Sequence, residues 1–239
     1  MSGFEADARG AKKRDYWFTV LLTDPVAVPL TTFLAKRRLL TPNQVTIISL
    51  VLGLSVGVFF ATGERWGLIA GGIAFYLAFV TDCVDGKLAR ATGITSDKGQ
   101  ALDALADGGR RASASFGLAA YVYQNQVVPE SGGRFQFITH WNWHGFDAFH
   151  LMVVLLYVVL AYYFLEISGA EKGDPGTGVR GEWSQALAKH RLLPTPGMPD
   201  VQAIVFIFGP LLGLVVPALM VGIAMVSVAI LLTVRRRLR

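Results

Sequence analysis

The sequence predicts an all-α integral membrane protein with six transmembrane helices, an N-terminal interfacial amphipathic helix and both termini in the cytoplasm. Three observations carry that expectation. Of the 239 residues, 53% are apolar and only 16% charged, more apolar surface than a soluble domain of this size can bury. Six apolar segments approach the roughly 20 residues needed to cross the hydrocarbon core. Lys and Arg collect on alternate sides of those segments, as cytoplasmic loops require.

The segments fall at about 43–62, 66–85, 100–123, 147–168, 199–214 and 216–234. Gly209-Pro210 and Pro217 interrupt the last apolar run, so its division is the least defined. Arg9, Lys12, Lys13, Arg14, Lys36, Arg37 and Arg38 precede the first span, and Lys87, Arg90 and Lys98 follow the second. Lys172, Arg180, Lys189 and Arg191 follow the fourth, and Arg235, Arg236, Arg237 and Arg239 end the chain. Only Arg65 and Arg134 fall in the opposite loops. Cytoplasmic termini require an even number of spans, which agrees with six.

Residues 1–14 are polar and lack an apolar core with a cleavage site, so no secretory signal peptide is expected. Residues 15–40 mix Trp17, Phe18, Val20, Leu21 and Leu22 with prolines and end in a basic cluster, the pattern of an interfacial helix on an anionic leaflet. The expected division is therefore 1–40 as a cytoplasmic N-terminal segment and 41–239 as the six-span domain. Thr41 is the expected N-cap of the first span, with Pro42 at its first helical position. Residues 124–146 carry His140, Trp141, Trp143 and His144, read as an interfacial aromatic belt before a metal site. Residues 169–198 read as a cytoplasmic connector. The single cysteine, Cys83, excludes an intramolecular disulfide and a Cys-rich metal site, and a net charge of +5 is poor evidence for a nucleic-acid partner.

Four carboxylates lie where the bilayer makes them expensive, at about 2.5–3.5 kcal/mol each on the insertion scale. Asp82 and Asp85 sit three apart at the end of the second span; Asp103 and Asp107 sit four apart near the start of the third. Both spacings put side chains on one helix face, and the short link at 86–98 lets the pairs converge. Such a cluster calls for a cation, and oxygen-only ligands favour Mg²⁺, Mn²⁺ or Ca²⁺. The bland alternative is a helix-end salt bridge to Arg90 or Arg110. Gly86, Ala89 and Gly99 would let a ligand approach the backbone, Arg90 offers a donor fork for phosphate, and Lys87 and Lys98 add charge at the mouth. Arg110 and Arg111 follow Asp107 by three and four residues, so at least one is expected to face the cavity and bind an anionic group of a substrate; snorkelling to the cytoplasm is the alternative.

In order, these residues spell D-x2-D-G-x2-A-R-x8-G-x3-D-x3-D over 82–107. The pattern resembles the signature of the CDP-alcohol phosphotransferases, and the span layout and Pro42-Asn43 entry resemble that family too. The resemblance implies transfer of a substituted phosphoryl group, most readily phosphatidyl from CDP-diacylglycerol, to an alcohol hydroxyl with release of CMP. It implies divalent metal, Mg²⁺ or Mn²⁺, at a site of Asp82, Asp85, Asp103 and Asp107, the first three as its main holders and the fourth near them. Asp107 matches the general base, and Asn43, Thr46, Asp82, Gly86, Ala89, Arg90 and Gly99 match or flank the nucleotide pocket. Arg110 and Arg111 are the candidates for a phosphorylated acceptor. It further implies a homodimer in the cell or inner membrane with its active site facing the cytoplasm. Competing readings are an intramembrane prenyltransferase and a cation or proton transporter, which would spread its acidic residues through the bilayer depth.

Overall fold

A computed structural model of the chain describes residues 14–125, 157, 185–193 and 197–237. Among them the regular structure is helical, apart from one isolated parallel bridge between Asp15 and Leu192. Helix α1 spans Asp24–Arg37 and is preceded by a π-helical turn, Thr19–Thr23. Pro25 fits its first turn, where no intrahelical N–H partner is needed, and Arg38 ends it in the left-handed region at φ 50°.

Helix α2, Pro42–Phe60, begins as the sequence predicts. Thr41 Oγ1 accepts from the Gln44 amide, the Thr41 amide donates to Gln44 Oε1 at 2.9 Å, and Pro42 occupies the first turn. Helix α3, Arg65–Thr92, has 28 residues and a length of about 42 Å, beyond the roughly 30 Å of a hydrocarbon core. The expected link at 86–98 is therefore mostly helix: α3 continues to Thr92, Gly93 stops it at φ 69°, and helix α4, Asp97–Asn125, starts soon after. The residues that follow Asp85 are polar but include good helix formers, so the span ends there and the helix does not.

Helix α5, Met198–Leu212, absorbs Gly209-Pro210 without breaking, because a π-helical turn at Ile204–Phe208 rearranges the ladder just before the proline. The chain breaks at Gly213, φ 75°, and helix α6 runs Val215–Arg237, close to the expected division between 214 and 216. Among the described residues three helices, α2, α3 and α6, are long and apolar enough to cross a membrane, and α5 is a shorter apolar helix. Helix α4 is as long as α3 but carries Asp97, Lys98, Asp103, Asp107, Arg110 and Arg111 in its first half. The outward face of α2 exposes Val51, Leu54 and Val58, as a lipid-facing surface would. The expected fourth span at 147–168, apart from Tyr157, and the loop carrying His140, Trp141, Trp143 and His144 lie outside the described residues.

Helix α2 packs between α3 and α4. Its approach to α4 is unusually close: a Cβ on Gly57 would stand 2.3 Å from the Ser113 carbonyl oxygen, and one on Gly117 2.3 Å from the Gly57 oxygen. Ser113 Oγ closes the seam, donating to Leu54 O at 2.7 Å and accepting from the Gly57 amide at 3.2 Å. On the other side Ser49 Oγ donates to Ala78 O at 2.9 Å, tying α2 to α3. Gly57→Val forces the α2–α4 seam apart and lowers stability by about 1–3 kcal/mol. Thermal unfolding in detergent measures this, and an unchanged midpoint would show that the seam is not tight.

Candidate active site

The C-terminal half of α3 and the N-terminal half of α4 face each other, with the first turns of α2 alongside. Helix α4 is started by Ser96, whose Oγ accepts from the Gly99 amide at 3.0 Å. This arrangement brings Asp82 and Asp85 of α3 to Asp103 of α4, with one carboxylate oxygen of each within 4.8 Å of the others. Asp85 is buried, Asp82 half-buried and Asp103 exposed, so the group opens toward one side. Asp85 Oδ2 has no hydrogen-bond partner among the described residues, and Asp82 Oδ1 has none with hydrogen-bond geometry.

Asp107 stands apart from that trio. Its two oxygens are bound by arginines one turn further along α4: Oδ1 by Arg110 Nη2, and Oδ2 by Arg111 Nη1 at 2.7 Å. Arg110 also reaches α3, placing Nη1 3.3 Å from Asp82 Oδ1. The salt-bridge alternative read from the sequence is thus realised for Asp82 and Asp107. Asp85 and Asp103 form no ion pair among the described residues, and like charges this close are held together only by a counter-charge.

Four of the candidate nucleotide-pocket residues meet in two pairs. A Cβ on Gly99 would meet Asn43 Oδ1 at 3.0 Å, so glycine lets α2 and α4 close there. The space above Gly86 is filled by the guanidinium of Arg90, whose Nη1 would lie 3.4 Å from a Cβ at that position. Arg90 is exposed, Ala89 half-buried, and Thr46 is buried with Oγ1 donating to Pro42 O at 3.1 Å.

Lys87 corrects one expectation. It does not stand at the mouth; it is buried and paired with Asp24 of α1 at 3.0 Å. Two helical residues beyond Asp85 amount to about 200° of rotation, which turns Lys87 to the opposite side of α3. Asp24 also takes Arg191 Nη2 at 3.1 Å, and the segment bearing Arg191 is strapped to the start of the N-terminal helix. The Asp15 amide donates to Arg191 O at 2.8 Å, and Trp17 Nε1 to Leu193 O at 2.8 Å. No sequence spacing links Asp24 to Lys87; only the packing of α1 on α3 does. Asp24→Ala leaves Lys87 buried without a counter-charge and costs about 3–5 kcal/mol, whereas Lys87→Met costs less because Asp24 keeps Arg191. Denaturation of the two variants checks the order, and equal losses would contradict it.

Three carboxylates with mutually close oxygens, two of the residues each carrying a buried oxygen without a hydrogen bond among the described residues, and no sulfur or imidazole among the donors fit a hard divalent cation. Cys83 does not join them; it packs against the apolar core.

A family model described as CDP-alcohol phosphatidyltransferase matches residues 39–234. No curated protein matches the sequence. Among solved structures, the phosphatidylinositol phosphate synthase of Mycobacterium tuberculosis in complex with manganese and citrate is 21% identical, with a TM-score of 0.52 over 89% of this chain and 87% of that one. The same enzyme with CDP-DAG bound is also 21% identical, with a TM-score of 0.52 over 90% and 92%. At this identity the likeness is one of fold.

Proposed function

The chain belongs to the CDP-alcohol phosphatidyltransferase family, and from that premise we propose that it moves the phosphatidyl group of CDP-diacylglycerol onto the hydroxyl of an acceptor alcohol, releasing CMP. One observation carries the reading: the three carboxylates of Asp82, Asp85 and Asp103 converge beside the Gly86–Arg90 and Asn43–Gly99 pairs. That the related synthase was solved with CDP-DAG and with manganese supports the choice of donor and of metal.

Asp82, Asp85 and Asp103 would hold Mg²⁺ or Mn²⁺. When bound, the metal neutralises the diphosphate and the charge that develops on departing CMP. Arg90 supplies a donor fork to phosphate oxygens, and Asn43, Thr46, Gly86, Ala89 and Gly99 shape the cytidine side. Asp107 accepts the acceptor's hydroxyl proton as the new P–O bond forms and the P–O bond to CMP breaks. Its oxygens keep lone pairs for that proton beside their arginine bonds. Positioning and electrostatics do the rest, without a covalent nucleophile.

Arg111, partly exposed beside Asp107, is the candidate for an anionic group on the acceptor, a phosphorylated alcohol being the substrate such a group selects. The reading includes six spans over 41–239, residues 15–40 along the cytoplasmic interface, a site facing the cytoplasm and a homodimer.

Purified protein is incubated with CDP-diacylglycerol, Mn²⁺ and a panel of acceptors, and CMP and the lipid product are identified by mass. Equal amounts of CMP and one new phospholipid are expected, with both lost on chelation. Absence of CMP with every acceptor would reject the proposal.

A further inference from the structure

We infer that Arg110 is a positioning residue of the transfer site: its buried guanidinium ties Asp82 on α3 to Asp107 on α4 and forms the floor beneath the metal-binding carboxylates. The inference rests on the proposed function and adds a residue to it.

Among the described residues Arg110 is the largest of the fully buried side chains, with 1% of its surface exposed. A full charge is kept in such a place only when paired. The pairing runs across two helices, to Asp107 on its own helix and to Asp82 Oδ1 at 3.3 Å on α3. Beneath it, the Arg110 Cζ stands 5.2 Å from the Phe79 ring centroid and 5.7 Å from that of Phe75. Phe75, Phe79 and Asp82 are spaced four and three apart, so one stripe of α3 provides both the aromatic seat and the carboxylate.

That seat decides what Arg110 can bind. With 1% of its surface exposed and Asp82 and Asp107 both against it, the guanidinium is closed to an acceptor's phosphate, so Arg110 faces the enzyme's own carboxylates. A planar fork can address two carboxylates in different directions; the point charge of lysine cannot. Arg110 therefore fixes Asp107 relative to Asp82, while its positive charge competes with the cation for Asp82.

Two opposed effects follow, and a purely structural role would not produce them together. Arg110→Gln removes the competing charge, so Mn²⁺ binds about tenfold or more tightly. The same variant loses the alignment of Asp107, so kcat falls while the acceptor KM stays within about twofold. Arg110→Lys keeps the charge and loses the fork: Mn²⁺ affinity stays within about threefold of wild type and kcat falls about tenfold.

Full-length wild type, Arg110→Gln and Arg110→Lys are compared by electron paramagnetic resonance of free Mn²⁺ and by steady-state kinetics. Tighter Mn²⁺ binding with slower turnover in Arg110→Gln supports the inference. Unchanged Mn²⁺ affinity in folded Arg110→Gln overturns it, as does a raised acceptor KM at preserved kcat. If Arg110→Gln does not fold, Arg110→Lys decides, and wild-type turnover there overturns the inference. If wild type transfers no phosphatidyl group, the proposed function falls while the Mn²⁺ measurement still decides the charge competition at Asp82.

Discussion

Asp85→Asn should abolish phosphatidyl transfer, lowering kcat/KM by about 10³-fold or more, and should remove detectable Mn²⁺ binding. A metal ion contributes several kcal/mol of charge stabilisation in such a reaction, and each 1.36 kcal/mol is tenfold in rate. Asp85 is the most telling of the trio because it is buried and makes no ion pair among the described residues. Asp82→Asn would also disturb Arg110, and Asp103 is exposed. The substitution preserves shape and takes one charge from a crowd of like charges, so the metal-free variant should unfold at a higher temperature than wild type. Lower activity with higher stability is expected from a site whose carboxylates serve a ligand at the expense of the fold. An Asp85→Asn variant that is both inactive and less stable would mark the residue as structural.

Asp107→Asn should give a different signature. Its kcat should fall about 10²–10⁴-fold, the range a positioned general base contributes, while Mn²⁺ affinity stays within a few-fold of wild type. The reason is geometric: Asp107 lies outside the group formed by Asp82, Asp85 and Asp103 and is held by Arg110 and Arg111 instead. Steady-state kinetics with Mn²⁺ titration separates the roles. Loss of metal binding on a par with Asp85→Asn would make Asp107 a ligand first and a base second.

How much of this was legible in advance depended on whether the determining interactions were local. The convergence of the carboxylates follows from short spacings on two successive helices, D-x2-D and D-x3-D, whose outcome helix geometry dictates. The start of α2 was legible for the same reason, since Thr41, Pro42 and Gln44 act within one turn. The end of α3 was not: hydropathy reports where the bilayer stops, and Lys87, Leu88, Ala89 and Arg90 continue the helix beyond it. The expected division of the last apolar run, between 214 and 216, agrees with the observed break at Gly213 and the start of α6 at Val215, whereas the π-helical turn that accommodates Pro210 is a backbone adjustment that composition does not reveal. Lys87 was misplaced by proximity in sequence, and its partner Asp24 comes from a helix packed on the far face of α3.

Arg110 shows the boundary between the two kinds of information. Its spacing from Asp107 placed it within a turn of the site, but spacing alone left open whether it meets a substrate or the protein. The Phe75 and Phe79 rings beneath it and Asp82 beside it supply the difference. The periodicity of those three residues along α3 was the signal available in the sequence, readable only once α4 was known to cross that stripe.

The claim on which the account stands is that Asp82, Asp85 and Asp103 together bind the divalent ion that serves phosphatidyl transfer. Crystals grown with Mn²⁺ and CMP, measured for anomalous scattering at the manganese edge, test it most directly. The account predicts manganese density within coordinating distance of all three carboxylates. Manganese bound elsewhere on the chain, with the three carboxylates uncoordinated, would contradict it.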